Sequence, residues 1–334
     1  MSDEQVAVAV PVRNEAHRLP MLLDALARQK HAPPFAVCLF FDNCTDASRE
    51  LAVTRAAGGP FALHTGEDRS GRSPNVGIAR REALALALGV APEGTLLTTD
   101  ADSAPAENWI GASLAALDHA DIVAGRIAPH GRASPRQMRV GRYFDRLHGL
   151  RRLLDPVEWE APLTHHWTSA ASLAMSAATY RRIGGVPPIA RGEDAAMLDT
   201  AARLGLRTRR DATVRVRTST RRQGRVHGGF ASSLTTGDAA RSLPAVAHPE
   251  DEAWRYAHQA MARRFYRGGD ATMLAASLSL PTEEVRQVAA ECRNGEAFAA
   301  RIVGTPPGGM RHVALDQAED LLARLEQGLL KGAA

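Results

Sequence analysis

Asp100 and Asp102 lie one residue apart in Leu-Leu-Thr-Thr-Asp-Ala-Asp, just past a short apolar run. Like charges that close are costly unless they are solvated or share a cation. Oxygen-only ligands suit a hard divalent ion such as Mg²⁺ or Mn²⁺, whose shell commonly includes substrate phosphates. A D-x-D triplet arises often by chance, and in isolation a solvated turn is the simpler reading. A second acidic pair, Glu193-Asp194, opens a helix-like stretch. One of these carboxylates could take a proton from an attacking hydroxyl, or both could merely favour a helix N-terminus. Between Arg203 and Arg225 lie nine arginines and one acid, Asp211, a local formal charge of +8 in a chain whose total is +4. Basicity so concentrated points to an anion site rather than a generally cationic protein. Val214 and Val216 alternate with Arg215 and Arg217, which reads as a strand with one solvated basic face. Arg222 and Arg225 follow in a glycine-rich loop suited to an anionic ligand.

The elements that would position these groups alternate strand and helix. Val6–Val12, 35–41, 61–65, 96–99 and 122–125 read as strands. Helical spacing runs from Leu19, over 46–57 with Asp46 as its expected N-cap, over 80–90 and over 109–118. Ser103-Ala104-Pro105 reads as a turn, 130–136 as a loop and 139–154 as a basic helix. Such alternation predicts a mostly parallel sheet with helices on both faces, and ligands collect at the carboxyl ends of its strands. Asn14-Glu15, Asp42 and the Asp100/Asp102 pair all follow strand ends. From about residue 245 the character turns helical, so a domain over 1–244 and a helical C-terminal region over 245–334 are expected.

The stretches VAVPVRNEAHRLPMLLDAL and VCLFFDNCTDAS resemble the opening of family 2 glycosyltransferases, where a first strand ends in a P-x-x-N-E turn and a second in an acidic turn. RSGRSPNVGIARREAL, the Asp100-Ala101-Asp102 triplet, Gly184-Gly185, Glu193-Asp194 and Arg222-Gln223-Gly224-Arg225 follow in that family's order, over roughly residues 6–230. Val226 stands where an aromatic residue often follows. The resemblance implies a GT-A-like, Rossmann-related α/β fold and transfer of a hexose from a nucleotide sugar, with a UDP-sugar the expected donor. It implies donor contacts at Pro11, Asn14, Glu15, Asp42, Arg72, Asn75, Asp100, Arg222 and Arg225. It further implies a Mn²⁺ or Mg²⁺ ion on Asp102, with Asp100 on the metal, its water or the ribose, and His227 as a further ligand from a late loop. Asp194 would be the base of an inverting displacement, with Glu193 the second choice; some relatives of this fold retain configuration instead.

Composition narrows the rest. Three cysteines, Cys38, Cys44 and Cys292, show no C-x-x-C pair, which argues against a disulfide framework and suits a reducing cytoplasm. No apolar run is long enough to span a bilayer and no basic n-region precedes one, so a soluble or peripheral lipid acceptor is expected. His165, His166 and Trp167 either line an acceptor pocket or pack as a loop. The C-terminal stripe Leu315, Leu321, Leu322, Leu325 either packs internally or forms a homo-oligomer contact. Two rivals remain. A sugar-nucleotide nucleotidyltransferase would need a glycine-rich basic loop after the first strand, where Arg13-Asn14-Glu15 stands. A nucleic-acid-binding module using Arg203–Arg225 would bind with steep salt dependence, but that stretch has little aromatic interleaving, and no nucleic-acid partner is expected.

Overall fold

A computed structural model describes residues 5–131, 134–219 and 244–332. It divides into two compact units. The first takes the described residues within Met1–Ala133, Trp159–Thr200 and Thr208–Ser233, and the second those within Ser134–Glu158, Ala201–Arg207 and Leu234–Ala334.

The first unit is built on an eight-stranded sheet. Its strands are β1 Val6–Val12, β2 Ala36–Asp42, β3 Ala62–Asp68, β4 Thr95–Thr98, β5 Ser103–Pro105, β6 Ile122–His130, β7 Leu173–Ser176 and β8 Thr208–Ser219. Their order is β3-β2-β1-β4-β7-β6-β8-β5. β1 pairs in parallel with β2 and β4, β2 with β3, and β6 with β8, whereas β7 runs antiparallel to both β4 and β6 and β5 antiparallel to β8. The helices are α1 Leu19–Ala27, α2 Ser48–Ala56, α3 Val76–Val90, α4 Trp109–Leu117, α6 Ala177–Ile183 and α7 Glu193–Arg203, the last crossing into the second unit; α5, Pro135–Leu154, lies in that unit. β1 and β2 are apolar nearly throughout because helices cover both of their faces. Val8, Val10, Leu22, Leu39, Trp109, Ile127, Val214 and Val216 belong to one buried cluster.

Three expectations need correction. Ser103-Ala104-Pro105 is strand β5, buried and in register with Thr218, Arg217 and Val216, rather than a turn. β6 continues to His130, nine residues, and α5 starts at Pro135, so the expected loop of 130–136 shrinks. The N-cap of α2 is Ala47, although Asp46 still accepts from the Ser48 amide at 3.1 Å.

The second unit is helical. Helix α5, Pro135–Leu154, opens on a capping box between Ser134 and Gln137. Further helices span Pro249–Tyr266, Ala271–Leu278, Thr282–Glu291, Gly295–Ile302 and Leu315–Gly332, with a short antiparallel pair, Ala245–Ala247 and His312–Ala314. Leu315 and Leu322 are fully buried against Tyr143, Leu147 and Leu150 of α5. Arg139 and Arg146, seven residues apart on α5, bind Glu319 and Glu326, seven apart on the last helix. Among the described residues no helix is long and apolar enough to cross a membrane.

Candidate active site

The turns after β1 and β2 are laced together. Asn14 and Asn43 both take positive φ, 51° and 49°, a conformation asparagine tolerates better than most residues. Asn14 Oδ1 accepts from the Thr45 amide at 2.7 Å, the Glu15 amide donates to Ser48 Oγ at 2.9 Å, and the Ala16 amide donates to Asp46 Oδ2 at 3.0 Å. Asn14 and Glu15 thus shape the strand-end turn. Pro11 is half-buried within β1.

Asp42 ends β2 and is 2% exposed. Its carboxylate meets Arg13 at 2.9 Å and Arg72 at 2.8 Å and accepts from Asn43 Nδ2 at 3.0 Å. Arg72 also pairs with Asp68 at the end of β3. Two arginines therefore converge on one buried aspartate, a charge-assisted arrangement that fixes all three side chains.

The centre of the site is Arg80, on α3 and only 4% exposed. Its Nη2 donates to Asp100 Oδ1 at 2.7 Å, its Nη1 to Thr98 Oγ1 at 3.0 Å and to the Ala170 carbonyl at 3.4 Å, and its Nε to Glu193 Oε1 at 3.3 Å. Burial works against its charge, but the fields of Asp100, Glu193 and Asp194 outweigh it and hold the guanidinium above its ordinary pKa. Burial raises the Glu193 carboxyl, and Arg80 partly offsets that. Glu193 is 6% exposed and turned inward. Asp194, the next residue on α7, is half-buried and accepts from the Ala170 amide at 3.2 Å and the Ala195 amide at 2.8 Å. Ala170 thus touches both Arg80 and Asp194. It sits in a short 3₁₀ turn, Ala170–Ser172, whose Ser172 hydroxyl takes the indole N–H of the buried Trp109 at 2.9 Å.

The Asp100 side chain is 34% exposed, and its Oδ1 accepts from Arg80 Nη2. Asp102 Oδ1 accepts from Thr218 Oγ1 at 3.4 Å, which ties it to the end of β8. Among the described residues no three His, Cys, Asp or Glu side chains come together as a ligand cage. Two carboxylates supplemented by substrate phosphates are the shell that Mg²⁺-type ions ordinarily take, so the donor set fits a cation shared with a diphosphate.

Asn75, expected on the nucleotide, is the N-cap of α3. Its Oδ1 accepts from the Ile78 amide at 3.1 Å and its Nδ2 donates to the Pro188 carbonyl at 3.2 Å. Arg81 Nη1 donates to the Val186 carbonyl at 3.0 Å, and the Gly77 amide donates to the Ile189 carbonyl at 3.2 Å. The segment between α6 and α7 is therefore fastened to α3 from Gly184-Gly185, both left-handed, up to the acid pair. A Cβ at Gly77 would lie 2.4 Å from the Pro187 and Ile189 carbonyl oxygens. Gly77→Ala should therefore displace this segment, lower stability by about 1–3 kcal/mol and lower turnover by up to about 10²-fold with little change in nucleotide affinity. Melting curves and turnover on one preparation check this, and unchanged values for both would mean the segment does not transmit the strain.

His165 is buried. Its Nδ1 accepts from the Trp167 amide at 3.0 Å, so Nε2 carries the proton and donates to the Ala124 carbonyl at 3.2 Å. Burial, with Arg210 and Arg126 adding to it, lowers its pKa to about 4. It is a structural tie, and Trp167 packs against the main core. On β8, Arg215 and Arg217 are exposed as expected, but Arg209 is buried and bonded to Asp211 at 3.0 Å. Arg222, Arg225 and His227 lie outside the described residues.

Arg80, Arg81, Arg13 and the Ala170 backbone are site components that motif reading passed over. For Arg80 a sequence signal existed. Gly77, Arg80, Leu84 and Ala87 share the buried side of α3, so a charged residue stands in a core stripe.

Residues 7–177 match the model for Glycosyl transferase family 2, just over half of the chain, and the chain belongs to that family. It is a glycosyltransferase with a GT-A-type sheet. The S. aureus TarS 1-349 structure in complex with UDP-GlcNAc is 16% identical, with a TM-score of 0.51 and 89% of each chain covered. A longer TarS structure is 17% identical, with a TM-score of 0.50 over 78% of this chain and 43% of that one, so the chain spans under half of that relative's length. The mannosyltransferase PcManGT from Pyrobaculum calidifontis, in complex with GDP-Man and Mn²⁺, is 18% identical, with a TM-score of 0.49 over 99% and 87%. At such identities the likeness is one of fold. No curated protein matches the chain.

Proposed function

We propose that the chain transfers a hexose from a nucleotide sugar, first of all a UDP-sugar, to a soluble or peripheral lipid acceptor by direct displacement with inversion. The observation that carries this reading is the convergence of Asp100 and the Glu193-Asp194 pair around one buried guanidinium, beside the carboxyl end of β4. Asp102, with Asp100, would hold a divalent cation, Mn²⁺ or Mg²⁺, which when bound supplies charge to the departing diphosphate. Asp194 is the better placed base. It is half-buried and held by two backbone amides, whereas Glu193 is turned into the protein against Arg80. The Asp42 cluster, with Arg13 and Arg72, stands at the end of β2, separated from β4 by β1, as the surface for base and ribose. The first unit would carry the chemistry.

TarS is recorded with UDP-GlcNAc bound, which makes UDP-sugars the first donors to test. Thermal shift with UDP-, GDP- and dTDP-sugars, with and without Mn²⁺, should give a Mn²⁺-dependent rise for one nucleotide, followed by release of that nucleoside diphosphate on turnover. Release of pyrophosphate would instead identify a nucleotidyltransferase, and no nucleotide-dependent shift at all would overturn the proposal.

A further inference from the structure

We propose that Arg80 is a positioning residue for glycosyl transfer, setting the spacing between the carboxylate on the donor side, Asp100, and the acid pair on the acceptor side, Glu193-Asp194. This rests on the roles proposed above for the two acid motifs. One guanidinium spends three different nitrogens on four acceptors drawn from three separate parts of the chain: Thr98 and Asp100 at the end of β4, Ala170 in the turn before β7, and Glu193 at the start of α7. A planar fork of five N–H donors can hold such a spread in one geometry, whereas a lysine ammonium is a single point of charge.

The Ala170 acceptor extends the reach. Ala170 accepts from Arg80 on its carbonyl, and its amide, in the preceding peptide unit, donates to Asp194 Oδ2. Arg80 thereby orients Asp194 without touching it. One positive charge stands in the field of three carboxylates, which leaves two negative charges beyond neutrality. The cation therefore frames the acids without cancelling the charge that a divalent ion and a proton acceptor both need. Stability alone is a poor reason for the arrangement, because buried ion pairs contribute little net stability compared with apolar packing.

Arg80→Lys keeps the charge and loses the fork. The measurements are the melting temperature, binding of UDP with Mn²⁺ by calorimetry, and kcat and KM for hydrolysis of whichever of UDP-glucose, UDP-GlcNAc and GDP-mannose the wild-type chain turns over. We expect a folded protein whose kcat falls by about 10²-fold, with a much smaller change in KM. A fall in kcat of less than about tenfold in folded Arg80→Lys would reduce Arg80 to a structural ion pair and overturn the proposal. If Arg80→Lys does not fold, Thr98→Val decides. It removes one acceptor of the fork while sparing every charge, and kcat should fall at least about threefold; a smaller fall counts against positioning. A wild-type chain that hydrolyses none of the three sugars overturns the functional reading and this one together, whereas wild-type turnover with an indifferent Arg80→Lys removes this one alone.

Discussion

Asp102→Ala should reduce sugar transfer by at least about 10³-fold, because charge developing on the leaving diphosphate would lose the cation that Asp102 is proposed to hold. Mn²⁺ should no longer strengthen nucleotide binding in this variant. The variant also loses a long 3.4 Å bond from Thr218, so melting temperature is read on the same sample. Calorimetric titration of UDP with and without Mn²⁺ separates the two effects. An Asp102→Ala protein whose nucleotide affinity still rises with Mn²⁺ would place the cation on other ligands. Asp100→Ala should act differently, because it also strips a partner from buried Arg80, so weaker nucleotide binding should come with a lower melting temperature.

Asp194→Asn should lower turnover by about 10²–10⁴-fold, the usual contribution of a positioned base, while nucleotide affinity stays near that of the wild type. The amide matches the carboxylate in shape but not in hydrogen bonding. Asp194 accepts from two backbone amides, and asparagine has one acceptor oxygen for the pair, so a modest loss of stability should accompany the loss of rate. Turnover and melting temperature measured on one sample keep these apart. A fall of less than about tenfold would move the base elsewhere, with Glu193 the first alternative.

What was legible in the sequence follows from how local each signal is. The parallel core was readable because β1 and β2 are continuous apolar runs with polar residues at the site end, and the shorter β4 carries Leu96-Leu97 just before the acidic pair. β5 was not. Three residues containing proline look like a turn, and only pairing with β8, over a hundred positions away, makes them an edge strand that tolerates proline. The capping role of Asn75 was not legible because an amide suited to a base is equally suited to capping a helix, and its second partner, Pro188, is remote in sequence. Arg80 lay within the stretch from Arg69 to Leu84 as a charge in a core stripe, but its meaning appeared only once Thr98, Asp100, Ala170 and Glu193 were brought around it. The family resemblance named both acid motifs but not the residue that joins them.

The four residues of β7 have a bearing on how the molecule folds. Among the described strands, β3-β2-β1-β4 on one side and β6-β8-β5 on the other are joined only through β7, which pairs with both. The two halves can each begin to form from their own neighbours, but they cannot register against each other until Leu173–Ser176 enters between them. Both pairings of β7 are long-range, Thr95 with Ser176 and Ile122 with Met175, so loop-closure entropy must be met before they reward it. Ala170, three residues before the strand, is the residue whose backbone meets both Arg80 and Asp194. During refolding, catalytic competence should therefore return with closure of the sheet, after much of the helix signal has recovered.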